Sequence, residues 1–340
     1  MEFQSYIQKI TEGQTLSSED MTRAMTLIMT GEATPAQIGG FLIGLRVRGE
    51  TVDEISAAAQ VMRQLATPVN TAKDYLVDTC GTGGDASGTF NISTTSAFVA
   101  AAAGAKVAKH GNRAVSSKSG SADVLETLGI NINLTPEQVS QCIDQVGLGF
   151  LFAQRHHGAM KYAIGPRREL GVRTVFNVLG PLTNPAGAPN QVLGVFSQQW
   201  VKPLAQVLQK LGSRHVMVVH ALDGLDEISL SSETLVAELK DGQIREYYIA
   251  PEDFGLQRYP LSAIQVHTST DSSQLIHQVL QGESGAARDI VCLNAGAALY
   301  VAGCAASHVT GIELAQQALD SGEAAKRLQQ LINLTQSFNA

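Results

Sequence analysis

Hydrophobic residues at the start of the chain recur at helical spacing: Phe3, Tyr6, Ile7 and Ile10 share one face of a 3.6-residue repeat. Three further stretches follow, each with its own start signal. Ser17 to Asp20 has the form of a capping box ahead of MTRAMTLIM. Thr34-Pro35 sets an N-cap before a proline at the first helical position, opening AQIGGFLIGLRVRG. Thr51 and Glu54 form another capping box ahead of SAAAQVMRQLA, and Thr67-Pro68 ends the pattern. Residues 1–67 are therefore expected to form an all-helical unit of about four helices with no strand.

From Tyr75 the period changes. YLVDTC reads as a short buried strand that runs directly into glycines. Asn91 to Thr95 caps the helix SAFVAAAAG, which stops at Gly104. KVAKHGN reads as strand then loop, Ser121 to Leu128 as a helix stopped at Gly129, the run opened by Thr135-Pro136 as a helix ending near Gly147, and GFLFA as a strand. QVLGVF and HVMVVHA are apolar strands with the helix KPLAQVLQKLG between them. Such alternation predicts an α/β domain with a mostly parallel central sheet. The segment 158–185, with one helix and the turn GPLTNPAG, interrupts it and is expected to cross between the two parts. The expected organisation is a small all-helical N-terminal domain, 1–67 joined by roughly 160–186, and a larger α/β domain made of 68–159 and 187–340. The chain should close with the helix LNAGAALYVAG and one amphipathic helix over IELAQQALDSGEAAKRLQQLINL.

Composition narrows the class. A chain of 340 residues is long enough for a sizeable core, and 44% hydrophobic with 16% charged residues excludes a disordered chain. Net charge −7 argues against broad nucleic-acid binding. Cys80, Cys142, Cys292 and Cys304 show neither a C-x-x-C pair nor zinc spacing and read as reduced buried thiols. MEFQSYIQKI lacks the basic start and apolar core of a secretory signal, and no segment supplies the roughly 18 uncharged apolar residues of a membrane helix. A soluble cytoplasmic protein is expected.

One stretch departs from this acidic balance: no Asp or Glu occurs between Asp85 and Asp123. It is entered through Gly81, Gly83 and Gly84, continues with the donors Asn91, Ser93 and Thr94 at a helix start, and carries Lys109, His110, Asn112 and Arg113. Glycines that admit close backbone approach, together with a helix N-terminus, make a phosphate cradle. A plain tight turn is the competing reading. The spacing Gly81-x-Gly83-x-x-Ala86 also satisfies a loose dinucleotide fingerprint, but the acid needed about 20 residues on is missing. No lysine follows the glycines as a Walker loop requires. Lys109 to Arg113, with Ser116, Ser117 and Ser121 beyond, is either a solvated loop or the second jaw of a polyphosphate site.

Two other clusters could complete such a site. Asp223-Gly224-Leu225-Asp226-Glu227 directly follows HVMVVHA. It is either a solvated turn or a holder for the Mg2+ that accompanies a diphosphate. His156, His157, Lys161, Arg167 and Arg168 form the last cluster; the adjacent histidines lack metal-ligand spacing. An arginine there could grip a carboxylate, face solvent or pair with Glu169.

The motifs GTGGD (81–85), NIST (91–94), KHGNR (109–113), GSAD (120–123), GPRRELG (165–171), GPLTNPAG (180–187) and GLDE (224–227) occur in one order along the whole chain. In this the sequence resembles the anthranilate phosphoribosyltransferases of tryptophan biosynthesis, within the nucleoside phosphorylase/phosphoribosyltransferase superfamily. The resemblance implies transfer of a phosphoribosyl group from 5-phosphoribosyl 1-diphosphate to the amine of anthranilate, with Mg2+ and without a covalent nucleophile. It implies substrate contacts from Gly81, Gly84, Asp85, Thr89, Asn91, Ile92, Ser93, Thr94, Lys109, His110, Gly111, Asn112, Arg113, Ser116, Ser117 and Ser121. Lys109 and Asn112 would act by positioning and electrostatics. Asn112 and Arg167 would hold anthranilate, and Ser93, Asp226 and Glu227 would hold the metal. The family is usually a homodimer joined through the helical domain. Two rivals are a pyrimidine nucleoside phosphorylase of the same superfamily and a non-enzymatic nucleic-acid-binding relative. GPRRELG and NIST argue against the first; the net charge and the intact GTGGD and GLDE argue against the second.

Overall fold

The computed structural model describes residues 2–114 and 119–338. Four helices come first: α1 (Glu2–Thr11), α2 (Ser18–Thr30), α3 (Pro35–Arg48) and α4 (Val52–Leu65). The Thr34 N-cap and the Thr51–Glu54 capping box both form as expected. Thr34 and Gln37 exchange side-chain and backbone hydrogen bonds, and so do Thr51 and Glu54. At α2 only half of the box is present. Ser17 Oγ accepts from the Asp20 N–H at 3.1 Å, but the Asp20 carboxylate is drawn to Lys9 at 2.6 Å. Glu54 does more than cap: fully buried, it also accepts from the Leu16 N–H at 2.8 Å and pairs with Arg48, tying the α1–α2 connection to α4.

The α/β part runs β1 (Leu76–Gly81), α5 (Ile92–Ala102), β2 (Lys106–Gly111), α6 (Ser121–Thr127), α7 (Pro136–Val146), β3 (Leu148–Phe152), α8 (Ala153–His156), α9 (Lys161–Leu170), α10 (Phe176–Leu179), β4 (Asn190–Gly194), α11 (Val201–Lys210) and β5 (His215–Ala221). The hairpin β6 (Thr234–Lys240) and β7 (Gln243–Ile249) follows, then α12 (Ser269–Leu280), α13 (Ala286–Ala302), α14 (His308–Asp320) and α15 (Glu323–Ser337). The sheet order is β3-β2-β1-β4-β5-β6-β7. The first five strands are parallel, and β6 and β7 are antiparallel. The chain proceeds from β1 outward through β2 to β3 and then returns to place β4 on the other side of β1. That reversal opens a crevice at the carboxyl ends of β1 and β4, where α/β sheets bind ligands.

Side chains alternate between two apolar cores on the two faces of the sheet. Val192, Met217, Val219 and Val236 join α5, α7, α13 and α15 on one face. Leu193, Val216, Val218 and Leu235 face α11 on the other, and that core continues without a break into the N-terminal helices through α4, which packs on α11. α9 packs against α3 and α2.

The expectation for the end of the chain is corrected. The single C-terminal amphipathic helix is two, α14 and α15, because Ser321-Gly322 turns the chain, with Gly322 at φ 73°. The β6–β7 hairpin and α12 lay outside the sequence reading altogether. Among the described residues no helix is long and apolar enough to cross a membrane.

Candidate active site

β1 delivers its last residue, Gly81, into the crevice. Beyond it Gly83 and Gly84 have φ of 67° and 80°, in the left-handed region that glycine reaches without penalty, and Ala86 enters the same region at φ 58°. Glycine also serves as clearance. A Cβ on Gly81 would lie 2.6 Å from Asp226 Oδ2, and one on Gly194 only 1.6 Å from the Asp226 carbonyl oxygen. Asp226 uses that room to accept the Gly83 N–H at 2.9 Å, while Glu227 Oε1 accepts the Ser93 N–H at 3.1 Å. The acids that follow β5 are therefore drawn onto the glycine turn and the first turn of α5, where backbone donors and the helix dipole favour negative charge.

Lys109, on β2, is almost completely buried beside them. Its Nζ donates to the Thr79 carbonyl and, at 3.3 Å, to Ser93 Oγ. Burial pulls its pKa down from the ordinary lysine value, opposed by the charges of Asp78, Glu227 and Asp226. Burial pushes Glu227 up to about 7. It pushes Asp226 well above the usual carboxylate range, with the charges of Asp85 and Glu227 adding to the effect. Two adjacent hard carboxylates with Ser93 Oγ nearby are a donor set suited to magnesium.

The other predicted contacts lie on the loop before α5, on α5, on β2 and from there to the start of α6. Thr89 sits in an isolated bridge to Gln265, with its hydroxyl 3.3 Å from Ser87 Oγ. Asn91 is the α5 N-cap residue, but its side chain makes no cap bond. It accepts from Ser272 Oγ at 2.7 Å and Ser119 Oγ at 3.2 Å and donates to the Ser119 carbonyl, tying α12 and the loop before α6 to α5. Ile92 is in the core, and its N–H is already given to the Phe90 carbonyl at 2.8 Å. Thr94 Oγ1 is buried and unpartnered. His110 is buried. Gly111 leaves room for Ser121, whose Oγ would lie 2.3 Å from an added Cβ and which donates to the Asn112 carbonyl at 3.3 Å. Asn112 is exposed, and its Oδ1 accepts the Arg113 N–H. Arg113 is engaged with Glu126 at 2.5 Å and Asp123 at 3.1 Å, so in this state its charge is directed at α6. Ser116 and Ser117 lie outside the described residues.

Arg167, on α9, is half-buried. Its guanidinium lies over the Phe176 ring at 5.2 Å, and burial lowers its pKa; it makes no ion pair with Glu169 among the described residues, and Arg168 is exposed. His156 and His157 are buried. His156 Nδ1 lies 3.0 Å from the Thr67 carbonyl oxygen, and the His157 ring packs on His110 at 5.1 Å. Burial lowers His157 to about 4.

Sequence reasoning missed what supports these groups. Asp78, fully buried and raised to about 6 by burial, accepts the His110 N–H at 3.1 Å and the Asn184 amide at 2.7 Å. Asn184 also donates to the Ala108 carbonyl, so β1, β2 and the GPLTNPAG turn are stitched together beneath Lys109. The signal available was a lone acid inside an otherwise apolar strand.

Two family models match: the glycosyl transferase family helical bundle domain over residues 4–66, and the glycosyl transferase family a/b domain over residues 73–325. Over 337 residues the chain is 66% identical to anthranilate phosphoribosyltransferase of Thioalkalivibrio sulfidiphilus, covering 99% of this chain and 100% of that one. The chain belongs to the anthranilate phosphoribosyltransferase family. Among solved structures, anthranilate phosphoribosyltransferase from Thermus thermophilus superposes with a TM-score of 0.92 at 44% identity, covering 97% of this chain and 99% of that one. Anthranilate phosphoribosyltransferase from Saccharomyces cerevisiae in complex with PRPP and Mg superposes with a TM-score of 0.90 at 28% identity, covering 98% of each chain. The same yeast enzyme in complex with 4-fluoroanthranilate gives 0.88 at 26% identity, again over 98% of each.

Proposed function

We propose that this protein transfers the phosphoribosyl group of 5-phosphoribosyl 1-diphosphate to the amine of anthranilate, giving N-(5-phosphoribosyl)anthranilate and diphosphate in tryptophan biosynthesis. The observation that carries the reading is the convergence, in a full-length member of this family, of the Gly81–Asp85 turn, the α5 N-terminus, Lys109 and the Asp226–Glu227 pair at one end of the sheet.

In this reading the glycine turn, Asn91, Ser93 and Thr94 cradle the phosphates with backbone and hydroxyl donors. Ser93, Asp226 and Glu227 hold Mg2+, which when bound neutralises charge on the diphosphate. Lys109 supplies a fixed positive charge where the leaving group gathers negative charge. Its tether to the Thr79 carbonyl and Ser93 keeps it there before the reaction begins. Arg167 grips the anthranilate carboxylate and Asn112 orients the ring. An aromatic amine is neutral at pH 7 and attacks without a strong base, so catalysis rests on holding two substrates in line. The division into a helical lobe (1–67 with roughly 160–186) and an α/β lobe places Arg167 and Lys109 on opposite lobes. Packing of α9 on α3 and α2 supports it. We further read the protein as a cytoplasmic homodimer joined through the helical lobe. Val47 of α3 and Tyr162 and Ile164 of α9 are large apolar side chains exposed on that lobe.

Anthranilate fluorescence tests the reaction. With protein, 5-phosphoribosyl 1-diphosphate and Mg2+ together the signal should decay, and with any one omitted it should persist. A signal that persists in the complete mixture overturns the proposal.

A further inference from the structure

We infer that Arg173 is a positioning residue that fixes the Gly84–Asp85 peptide of the glycine turn from a segment anchored on the helical unit. The inference rests on the phosphoribosyl-transfer reading above. Arg173 lies just beyond α9, six positions after Arg167. Its Nη2 donates to the Gly84 carbonyl oxygen, and its guanidinium lies 4.0 Å from the centre of the Phe196 ring. Phe196 belongs to the same construction: its N–H donates to Thr82 Oγ1 at 3.0 Å, inside the turn. The carbonyl oxygen of Arg173 accepts a hydrogen bond from Arg46 of α3. One residue thus joins the glycine turn, the continuation of β4 and the helical unit.

The turn needs such a constraint. Gly83 and Gly84 occupy the left-handed region, which a glycine leaves as readily as it enters. Nothing in their own chemistry selects one orientation of the peptide that follows. A peptide is planar and trans, so holding the Gly84 oxygen also sets the opposite direction of the Asp85 N–H. A charge-assisted bond to a guanidinium, itself stacked on an aromatic face, is a firm way to hold it. The guanidinium packs closely on Gly84: a Cβ there would lie 3.2 Å from Arg173 Nη2, a tight contact, at a φ of 80° that already favours glycine. Arg173 acts on the phosphate side of the cleft while its backbone continues from the helix that carries Arg167.

The test uses full-length Arg173→Ala, Arg173→Lys, Phe196→Leu and the Arg173→Ala/Phe196→Leu double variant, with each substrate varied at saturation of the other. Arg173→Ala should raise the KM for 5-phosphoribosyl 1-diphosphate by about ten- to a hundredfold, the loss expected for a charged hydrogen bond, and leave that for anthranilate within about twofold. Arg173→Lys, which keeps a charge and a donor, should recover part of the loss. Phe196→Leu should raise the same KM several-fold alone and add nothing in the Arg173→Ala background, because it acts through Arg173. An unchanged KM, an equal rise for both substrates, or additive losses would overturn the inference. If Arg173→Ala does not fold, Arg173→Lys and Phe196→Leu decide by the same split. If the wild-type protein consumes no anthranilate, the functional reading fails by itself. Titration calorimetry of 5-phosphoribosyl 1-diphosphate into wild type and Arg173→Lys then decides on Arg173 separately: weaker binding supports it and equal binding overturns it.

Discussion

Asp226 is the residue around which the site has least freedom. Its carbonyl faces Gly194, its carboxylate faces Gly81, and its Oδ2 holds the Gly83 N–H. Gly194→Ala would force a Cβ into the Asp226 backbone, and we expect a stability loss of about 1–3 kcal/mol or more, the scale of overpacking, together with loss of Mg2+-dependent turnover. Urea denaturation and steady-state assays check both, and a variant with full stability and activity would show that the contact is relaxed at no cost. Asp226→Ala with Glu227→Ala should abolish Mg2+-dependent turnover; retained Mg2+ dependence removes these two as the metal holders. Arg167→Ala should raise the anthranilate KM by about ten- to a hundredfold, as loss of a charged carboxylate bond would, and change that of the other substrate little. Equal effects would remove Arg167 from its assigned role. At this scale the glycine turn and the acid pair were legible because their chemistry is local: glycines after a strand, acids after a strand. Asn91 was read as a helix cap, and its real partners, Ser119 and Ser272, could not be foreseen because one is 28 and the other 181 residues away. The loop of Arg113 was read as either solvated or one jaw of a polyphosphate site, and its ion pairs with Asp123 and Glu126 could not be foreseen because they depend on how α6 packs.

The elements divide by how much of their signal is local. Capped helices such as α3, α4 and α7 declare their starts in sequence, by Thr-Pro or Thr-x-x-Glu, and α7 also declares its stop, at Gly147. The β6–β7 hairpin carries a local signal as well. Asp241-Gly242, both with positive φ at 52° and 73°, is the two-residue turn that matches strand twist. What holds the hairpin to α13 was not readable. Glu238 accepts from Tyr300 at 2.8 Å and Tyr247 at 2.9 Å, with His215 Nε2 2.8 Å away. Burial alone would raise its pKa, but these hydrogen bonds outweigh burial and hold it down at about 2. A depressed carboxylate stabilises the fold fully above its unfolded value near 4.5, and the contribution disappears as pH falls from there towards 2. Glu238→Gln should therefore be less stable than wild type by about 1–3 kcal/mol at pH 6, with the gap narrowing at pH 3.5. Urea midpoints at the two pH values measure this, and a gap that stays constant contradicts it.

At the scale of the molecule, one sheet face and the N-terminal helices share a single apolar core, through α4 on α11, while α9 returns to pack on α3 and α2. The alternation of strands and helices was enough to predict the mostly parallel sheet. It could not predict this continuity, because it depends on which face of β4 and β5 each side chain takes. The exposed apolar side chains Val47, Tyr162 and Ile164 lead us to expect a sedimentation mass of twice the 36.0 kDa of one chain, reduced towards the monomer by Val47→Asp. A wild-type monomer would remove the dimer. The central claim, one cleft that joins two substrates, is tested most directly by stoichiometry: anthranilate consumed and diphosphate released, measured in the same Mg2+-containing reaction. The account predicts one diphosphate for each anthranilate lost, and none when anthranilate is left out. Diphosphate release that proceeds unchanged without anthranilate, or anthranilate loss with no diphosphate, would contradict it.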